Sequence, residues 1–411
     1  MKIGHIATGI WGSVHLDMAR ALQRLGHRVV VYTEDARAPS ARTFTRLAED
    51  GVEIWAIHDL RRNPWTWLPD RIFKALLGRR FFTTWLALHR YLRASRCDIY
   101  MVEGDWIGIF VALSRSVLDF RWIVCVHDHE YLGVLLGYPG EPSNRIRETV
   151  KRWVLRRADG VRANSFVTRD VLVRGGIDAA RIAVLPLQYA ARMPVAGDLD
   201  AYRSDSRAQV LALHGIAPGG DLVVAACRLT PIKGLELALR AFALVLQERP
   251  AARLLVCGGD RMVAGIGSYR ALLERLAAEI GIADAVIFAG NIAPADVKRY
   301  YAAADLHVVP SHIETFNYSA VEAALTGTQS VMTDMVGSGF WLARAGAAVL
   351  VAGRDAGHFA AAMLGILQQP AAARDPGALA QRTAMELGVD GIAAQLAALL
   401  AGHAALPARG A

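Results

Sequence analysis

At 411 residues the chain exceeds what one ordinary core organises, so two domains are expected. A hydrophobic fraction of 54% against 20% charged residues excludes an intrinsically disordered chain. Four scattered cysteines with no CxxC pair speak against structural zinc or a disulfide framework and for a reducing cytoplasm, and a formal net charge of +8 without any recognised nucleic-acid module leaves no nucleic-acid partner expected.

In chain order, "KIGHIA" reads as a strand, "VHLDMARALQRLG" as an amphipathic helix and "HRVVVYTED" as a second strand. The N-terminal stretch does not read as a secretory leader. Residues 61–97 then carry nine Lys or Arg against one acid, Asp70, with three Trp and three Phe among them. That interleaving suits either an anionic membrane surface or a solvated helix face whose aromatics enter the core. It makes peripheral contact with the inner face of the cell membrane a candidate for a chain expected in the cytoplasm. A second basic run, "RIRETVKRWVLRRAD", occupies 145–159.

Strand-like runs continue with "CDIYMVE", "RWIVCVHD", "GVRANS" and "RIAVLPL", closing an N-terminal Rossmann-like domain over 1–195. Residues 196–215, polar and aperiodic in parts, read as a linker. A fresh β/α series follows in "DLVVAACR", "ARLLVCGGD", "AVIFAG", "DLHVVPS", "QSVMTD" and "AAVLVAG", giving a second Rossmann-like domain over 216–385. The Ala-rich "GIAAQLAALLAGHAALP", interrupted by Gln395 and His403, reads as a packed helix and not a membrane span. It belongs to a helical tail, 386–411, expected to pack back on the N-terminal domain.

Ligands of open parallel sheets bind beyond the carboxyl ends of the strands. After "DLVVAAC" come Arg228, Lys233 and Gly234 as a helix opens, two cations beside a helix N-terminus that suit a phosphate or diphosphate. After "DLHVVP" comes Glu314, with Glu322 one to two turns into the next helix. Eight helical positions span roughly 12 Å, too far for a glycosidase pair, which needs about 5 to 10 Å. Two grips on a long ligand fit better. The apolar neighbours of Glu322 suggest partial burial, where a ribose diol or a neighbouring Arg would satisfy it. Amides of Phe316, Asn317 and Tyr318 at the helix start could point at a sugar or phosphate. In the first half, Gly9 and Gly12 allow close backbone approach, and His127 closes "RWIVCV". The adjacent His127, Asp128, His129 and Glu130 cannot all converge on one ion, so no metal is expected.

The ordered series Arg228-x4-Lys233-Gly234, Gly258-Gly259, "FAGNI", "YYAAADLHVVPS" and Glu314-x7-Glu322 resembles family-four glycosyltransferases of the GT-B fold. The resemblance covers about 220–352 and, more weakly, the first domain through "GSVHLDMARALQRLGHRVVVYT", "VHD" and "RADGVRANSFVTRDVLVRGGI". It implies an α/β, GT-B architecture, two Rossmann-like domains facing each other across a cleft. It also implies a metal-independent, retaining hexosyl transfer from a nucleotide diphosphate sugar, with UDP or GDP as the favoured base and no cofactor. The implied acceptor is a glycan or lipid-linked molecule in cell-surface polysaccharide or glycoconjugate synthesis.

By the same resemblance Arg228 and Lys233 would hold the diphosphate, Glu322 the ribose hydroxyls and Glu314 a hydroxyl of the donor sugar. Phe316, Asn317 and Tyr318 would seat that sugar, and backbone near Asn291 and Ile292 would contact the base. His127 would face donor or acceptor, and the Gly9–Gly12 loop would approach the phosphates. The chain departs from the family's "EGFG" with "ETFN": Thr315 and Asn317 narrow the loop and bear on which sugar fits. "LQ" at Leu187 and Gln188 replaces the common end of the first domain. A nucleotide-sugar epimerase on the same fold and a non-catalytic scaffold that binds nucleotide sugar are the alternatives.

Overall fold

The computed structural model describes residues 1–7, 9, 14–34, 44–57, 69–72, 75, 81–127, 145–189, 198–370 and 374–405. Contacts divide the chain into two compact units. The first contains the described residues up to 189 and the C-terminal segment from Val389. Its strands are β1 (Lys2–Ile6), β2 (Arg28–Thr33), β3 (Phe44–Glu49), β4 (Val52–Ile57), β5 (Ile99–Glu103), β6 (Trp122–Val126), β7 (Gly160–Ala163) and β8 (Ile182–Val184). They form one sheet in the order β3-β4-β2-β1-β5-β6-β7-β8. All are parallel except β3, which pairs antiparallel with β4. Strands β5 and β6 are buried along their whole length, as continuous apolar runs covered on both faces should be.

The second unit holds β9 (Leu222–Ala226), β10 (Arg253–Cys257), the small hairpin β11 (Met262–Val263) and β12 (Gly267–Ser268), β13 (Val286–Gly290), β14 (Leu306–Val309), β15 (Ser330–Thr333) and β16 (Ala348–Val351). Six of these form an all-parallel sheet in the order β13-β10-β9-β14-β15-β16. Val223, Leu254, Val308 and Val331 of this sheet pack with Phe242 and Val245 of the helix Leu235–Glu248 and with Phe359 and Met363 of the helix Ala356–Leu367. The α/β architecture of two Rossmann-like halves read from the sequence is therefore the architecture observed.

Two segments differ from, or refine, the sequence reading. Residues 196–215, expected as a linker, carry the helix Leu199–Leu213, capped by the Asp198 side chain on the Asp200 and Ala201 amides. Its apolar stripe is thin, Val210 and Leu211 being buried, which is why periodicity hides it. Much of its attachment is polar: Arg203 donates to the Ala304 and Thr326 carbonyls, and Arg207 to Asp305 and the Gly220 carbonyl. In the basic segment, the Asp70 carboxylate accepts the amides of Phe81, Phe82 and Thr83 and so caps the helix Phe82–Ser95. That helix buries Leu88, Tyr91 and Leu92. Arg61, Arg62, Arg79 and Arg80 lie outside the described residues. Among the described residues no helix is long and apolar enough to cross a membrane. The helix Val389–Ala404 buries Ile392, Leu396 and Leu400 in the first unit, and Asp390 pairs with Arg24 of the helix Val14–Arg24.

Among its parallel strands each sheet reverses its strand order once, between β1 and β5 in the first unit and between β9 and β14 in the second. Because the strands flanking each reversal are parallel, their carboxyl ends open on one side, the place where such sheets bind ligands.

Candidate functional site

In the second unit the switch point is built by two loops drawn together. The amide of His312 donates to the Ile232 carbonyl, 2.9 Å. Gly234 caps the helix Leu235–Glu248 at φ +62°, and a Cβ there would stand 2.4 Å from the Pro310 carbonyl oxygen. Only glycine lets the loop after β9 close on the loop after β14 this tightly. The closure brings Lys233 onto Glu314, its Nζ donating to Oε1. Ser311 Oγ (3.1 Å) and Asn317 Nδ2 (3.3 Å) donate to the same oxygen. The Glu314 backbone is pinned by its own amide to the Met335 carbonyl and by the Gly337 amide to its carbonyl.

Arg228 follows β9 and is exposed. Burial pushes the Cys227 thiol up to about 12, and Lys233, Glu314 and Arg228 all lie within electrostatic reach of it. Glu322 sits on the second turn of the helix Tyr318–Leu325, among the fully buried Val321, Ala323 and Ala324. Its carboxylate makes no hydrogen bond to a described residue, and burial raises its pKa against the pull of Lys298. Asn317 caps that helix at φ +81°. Phe316 is buried, its ring 5.3 Å from Tyr318 and 6.2 Å from Trp341. Gly258 and Gly259 form the turn after β10: at Gly258 a Cβ would overlap the Cys227 carbonyl at 1.7 Å, and at Gly259 it would meet Asn291 at 3.8 Å. Asn291 is exposed and Ile292 half-buried just after β13.

In the first unit, Glu103 ends β5 at the switch point and is buried. His5 of β1 meets its Oε1 at 3.0 Å, His127 after β6 meets Oε2, and His15 stands 3.8 Å from Oε1. Burial opposes the carboxylate's charge, but His127, His15 and the histidine hydrogen bonds hold its pKa well below the usual range. His15 is lowered to about 4 by burial, with Glu103 acting in the opposite sense. The sets His5–His15–Glu103 and Glu103–Cys125–His127 each bring three ligand-type atoms within 4.8 Å of one another. The carboxylate is already committed to imidazoles, and the Arg162 guanidinium bears on both His15 and Cys125. Gly9 is exposed with open space where a Cβ would stand. Gly12, Asp128, His129 and Glu130 lie outside the described residues.

Of the residues singled out in the sequence, Lys233, Glu314 and Asn317 gather at one switch point, with Glu322 on the adjoining helix and Arg228 in the loop after β9. It found His127 without the carboxylate that holds it. Glu103 and His5 went unread, although a lone acid closing an apolar strand and a histidine inside one were the visible signals.

Residues 8–188 match the family model "Glycosyl transferase 4-like domain" and residues 220–369 the model "Glycosyl transferases group 1". A D-inositol 3-phosphate glycosyltransferase of Nocardia farcinica is 34% identical over 257 residues, covering 60% of this chain. The chain spans about half the length of that curated relative, 54%. Among solved structures, sucrose-phosphate synthase from Thermosynechococcus elongatus superposes with a TM-score of 0.71 at 22% identity, covering 98% of both chains. Anabaena HepE in complex with UDP superposes at 0.68 and 19% identity, covering 98% of this chain and 100% of that one.

Proposed function

The chain belongs to the family-four glycosyltransferases of the GT-B fold, and from that premise we propose that it moves a hexose from a nucleoside diphosphate sugar to a hydroxyl acceptor. Transfer proceeds with retention of the anomeric configuration and without a metal ion. The observation that carries the reading is the Lys233–Glu314 pair, which joins the loops after β9 and β14, with Arg228 in the same loop after β9. Breaking the bond from the sugar to the diphosphate leaves the electron pair on a phosphate oxygen. Two cations and a helix N-terminus can carry that charge without reorganising.

In this reading Lys233 exchanges Glu314 for the diphosphate when donor enters, and Arg228 joins it. Glu322, half-buried with no hydrogen-bonding partner among the described residues, takes the ribose hydroxyls, which would satisfy a carboxylate that is costly to leave bare. Glu314 takes a hydroxyl of the donor sugar, and the amides of Phe316 to Tyr318 seat it. Asn291 and Ile292 flank the base. Uridine is the base we put first, because a protein of the same fold is known with UDP bound; guanosine is second. In the first unit, His127, oriented by Glu103, serves the acceptor.

Two acceptor classes follow from different observations. The name of the Nocardia relative favours a phosphorylated polyol. The basic, aromatic stretch 61–97 favours a glycan or lipid-linked acceptor at an anionic membrane surface. A product assay separates them: the protein is incubated with UDP-glucose or GDP-mannose and either inositol 3-phosphate or a polyprenyl-linked glycan. An axial anomeric linkage in the product, read by its NMR coupling, supports transfer with retention from these α-linked donors. Nucleotide release and sugar conversion without any acceptor would instead mark an epimerase.

A further inference from the structure

Asn317 stands at φ +81°, one of three non-glycine residues with positive φ among the described residues. Its side-chain oxygen is doubly engaged, accepting the Ala320 amide at 2.9 Å and Ser319 Oγ at 2.7 Å. An amide whose Oδ1 is fixed by two donors must present its NH2 on the other side, and there Nδ2 meets Glu314 Oε1 at 3.3 Å. Ser311 Oγ and Lys233 Nζ reach that same oxygen, while Oε2 takes none of the three. A carboxylate oxygen offers about two lone-pair sites. Even after Lys233 leaves for a diphosphate, Asn317 and Ser311 fill Oε1.

Resting on the donor-site reading above, we infer that Asn317 is a specificity-determining residue: it reserves Glu314 Oε1, so that Glu314 accepts one sugar hydroxyl through Oε2 and cannot grip an adjacent pair. The site then takes donor sugars in which one of two neighbouring ring hydroxyls is absent or substituted. A glycine at 317 would keep the positive φ, lose the amide donor and return the second oxygen to the sugar.

Calorimetric binding to the full chain tests this without an acceptor, using UDP, UDP-glucose and its 3-deoxy and 4-deoxy analogues, with GDP and the GDP-mannose series in parallel. For the wild type, one deoxygenation weakens binding by about tenfold, as expected for a hydrogen bond to a charged group, and its neighbour by no more than about twofold. In Asn317→Gly both losses approach about tenfold. Should that variant fail to fold, Ser311→Ala, which removes another donor to the same oxygen, must shift the pattern the same way. Equal losses in the wild type, or an unchanged pattern in a folded variant, overturn the inference while UDP binding leaves the donor reading standing. Absence of binding by UDP, GDP, ADP and dTDP alike overturns both.

Discussion

Glu103 shows what a single buried carboxylate can organise. It has no cation beside it in sequence, yet three imidazoles converge on it from β1, from the loop after β6 and from the first helix. Replacing it with Gln would turn an acceptor-only group into one that also presents donors to histidine N–H groups, leaving buried polar atoms mismatched. Glu103→Gln should lose roughly 2–4 kcal/mol of stability in urea unfolding of the first unit; a loss under about 0.5 kcal/mol, the size of an ordinary surface effect, would show that the hub is incidental. The histidines also set a pH dependence. Burial lowers His15 to about 4, His307 to about 3 and His312 to about 4, from an ordinary 6.5. Between those values the unfolded chain binds more protons than the folded one, so stability is present above pH 6.5 and falls as the medium is acidified. His307→Phe should flatten the decline of melting temperature between pH 6.5 and 4.5, and an unchanged slope would contradict this account. At this scale Lys233, Glu314 and Asn317 were legible because they follow strand ends. His5 and Glu103 were not, because their meeting depends on a pairing of β1 with β5 across 98 positions.

The elements themselves were largely written in the apolar runs: all six strands of the second sheet coincide with stretches read from sequence. The hairpin of β3 and β4 was missed, although Asp50 (φ +49°) and Gly51 (φ +82°) form the Asp-Gly turn that is among the strongest local hairpin signals. The helix Leu199–Leu213 escaped because much of its binding comes from arginines on carbonyls, which leaves little hydrophobic period. What periodicity could not reveal was the closeness of the loops after β9 and β14. That closeness depends on Gly234. Gly234→Ala should cost about 1–3 kcal/mol through the positive φ and the clash with the Pro310 carbonyl. It should also weaken nucleotide binding by displacing Lys233. A variant as stable as the wild type in chemical unfolding would refute the packing argument.

For the whole molecule, each sheet has a charged cluster beside the switch point of its parallel strands, Glu103 with its histidines in the first and Lys233 with Glu314 in the second, and each half matches its own family model. Length and composition foretold the two halves. The C-terminal helix joins the first unit through buried Ile392, Leu396 and Leu400, a return of the chain that an Ala-rich run suggests only as an apolar face in need of a partner. The central claim is that Arg228, Lys233, Glu314 and Glu322 form a nucleotide-sugar site. It is tested most directly by thermal unfolding of the wild type and Glu322→Ala with UDP-, GDP-, ADP- and dTDP-sugars. A ligand that binds only the folded chain stabilises it as its concentration passes its dissociation constant. The account predicts a rise with one base class that shrinks in Glu322→Ala; no rise with any of the four, or a rise of equal size in the variant, would contradict it.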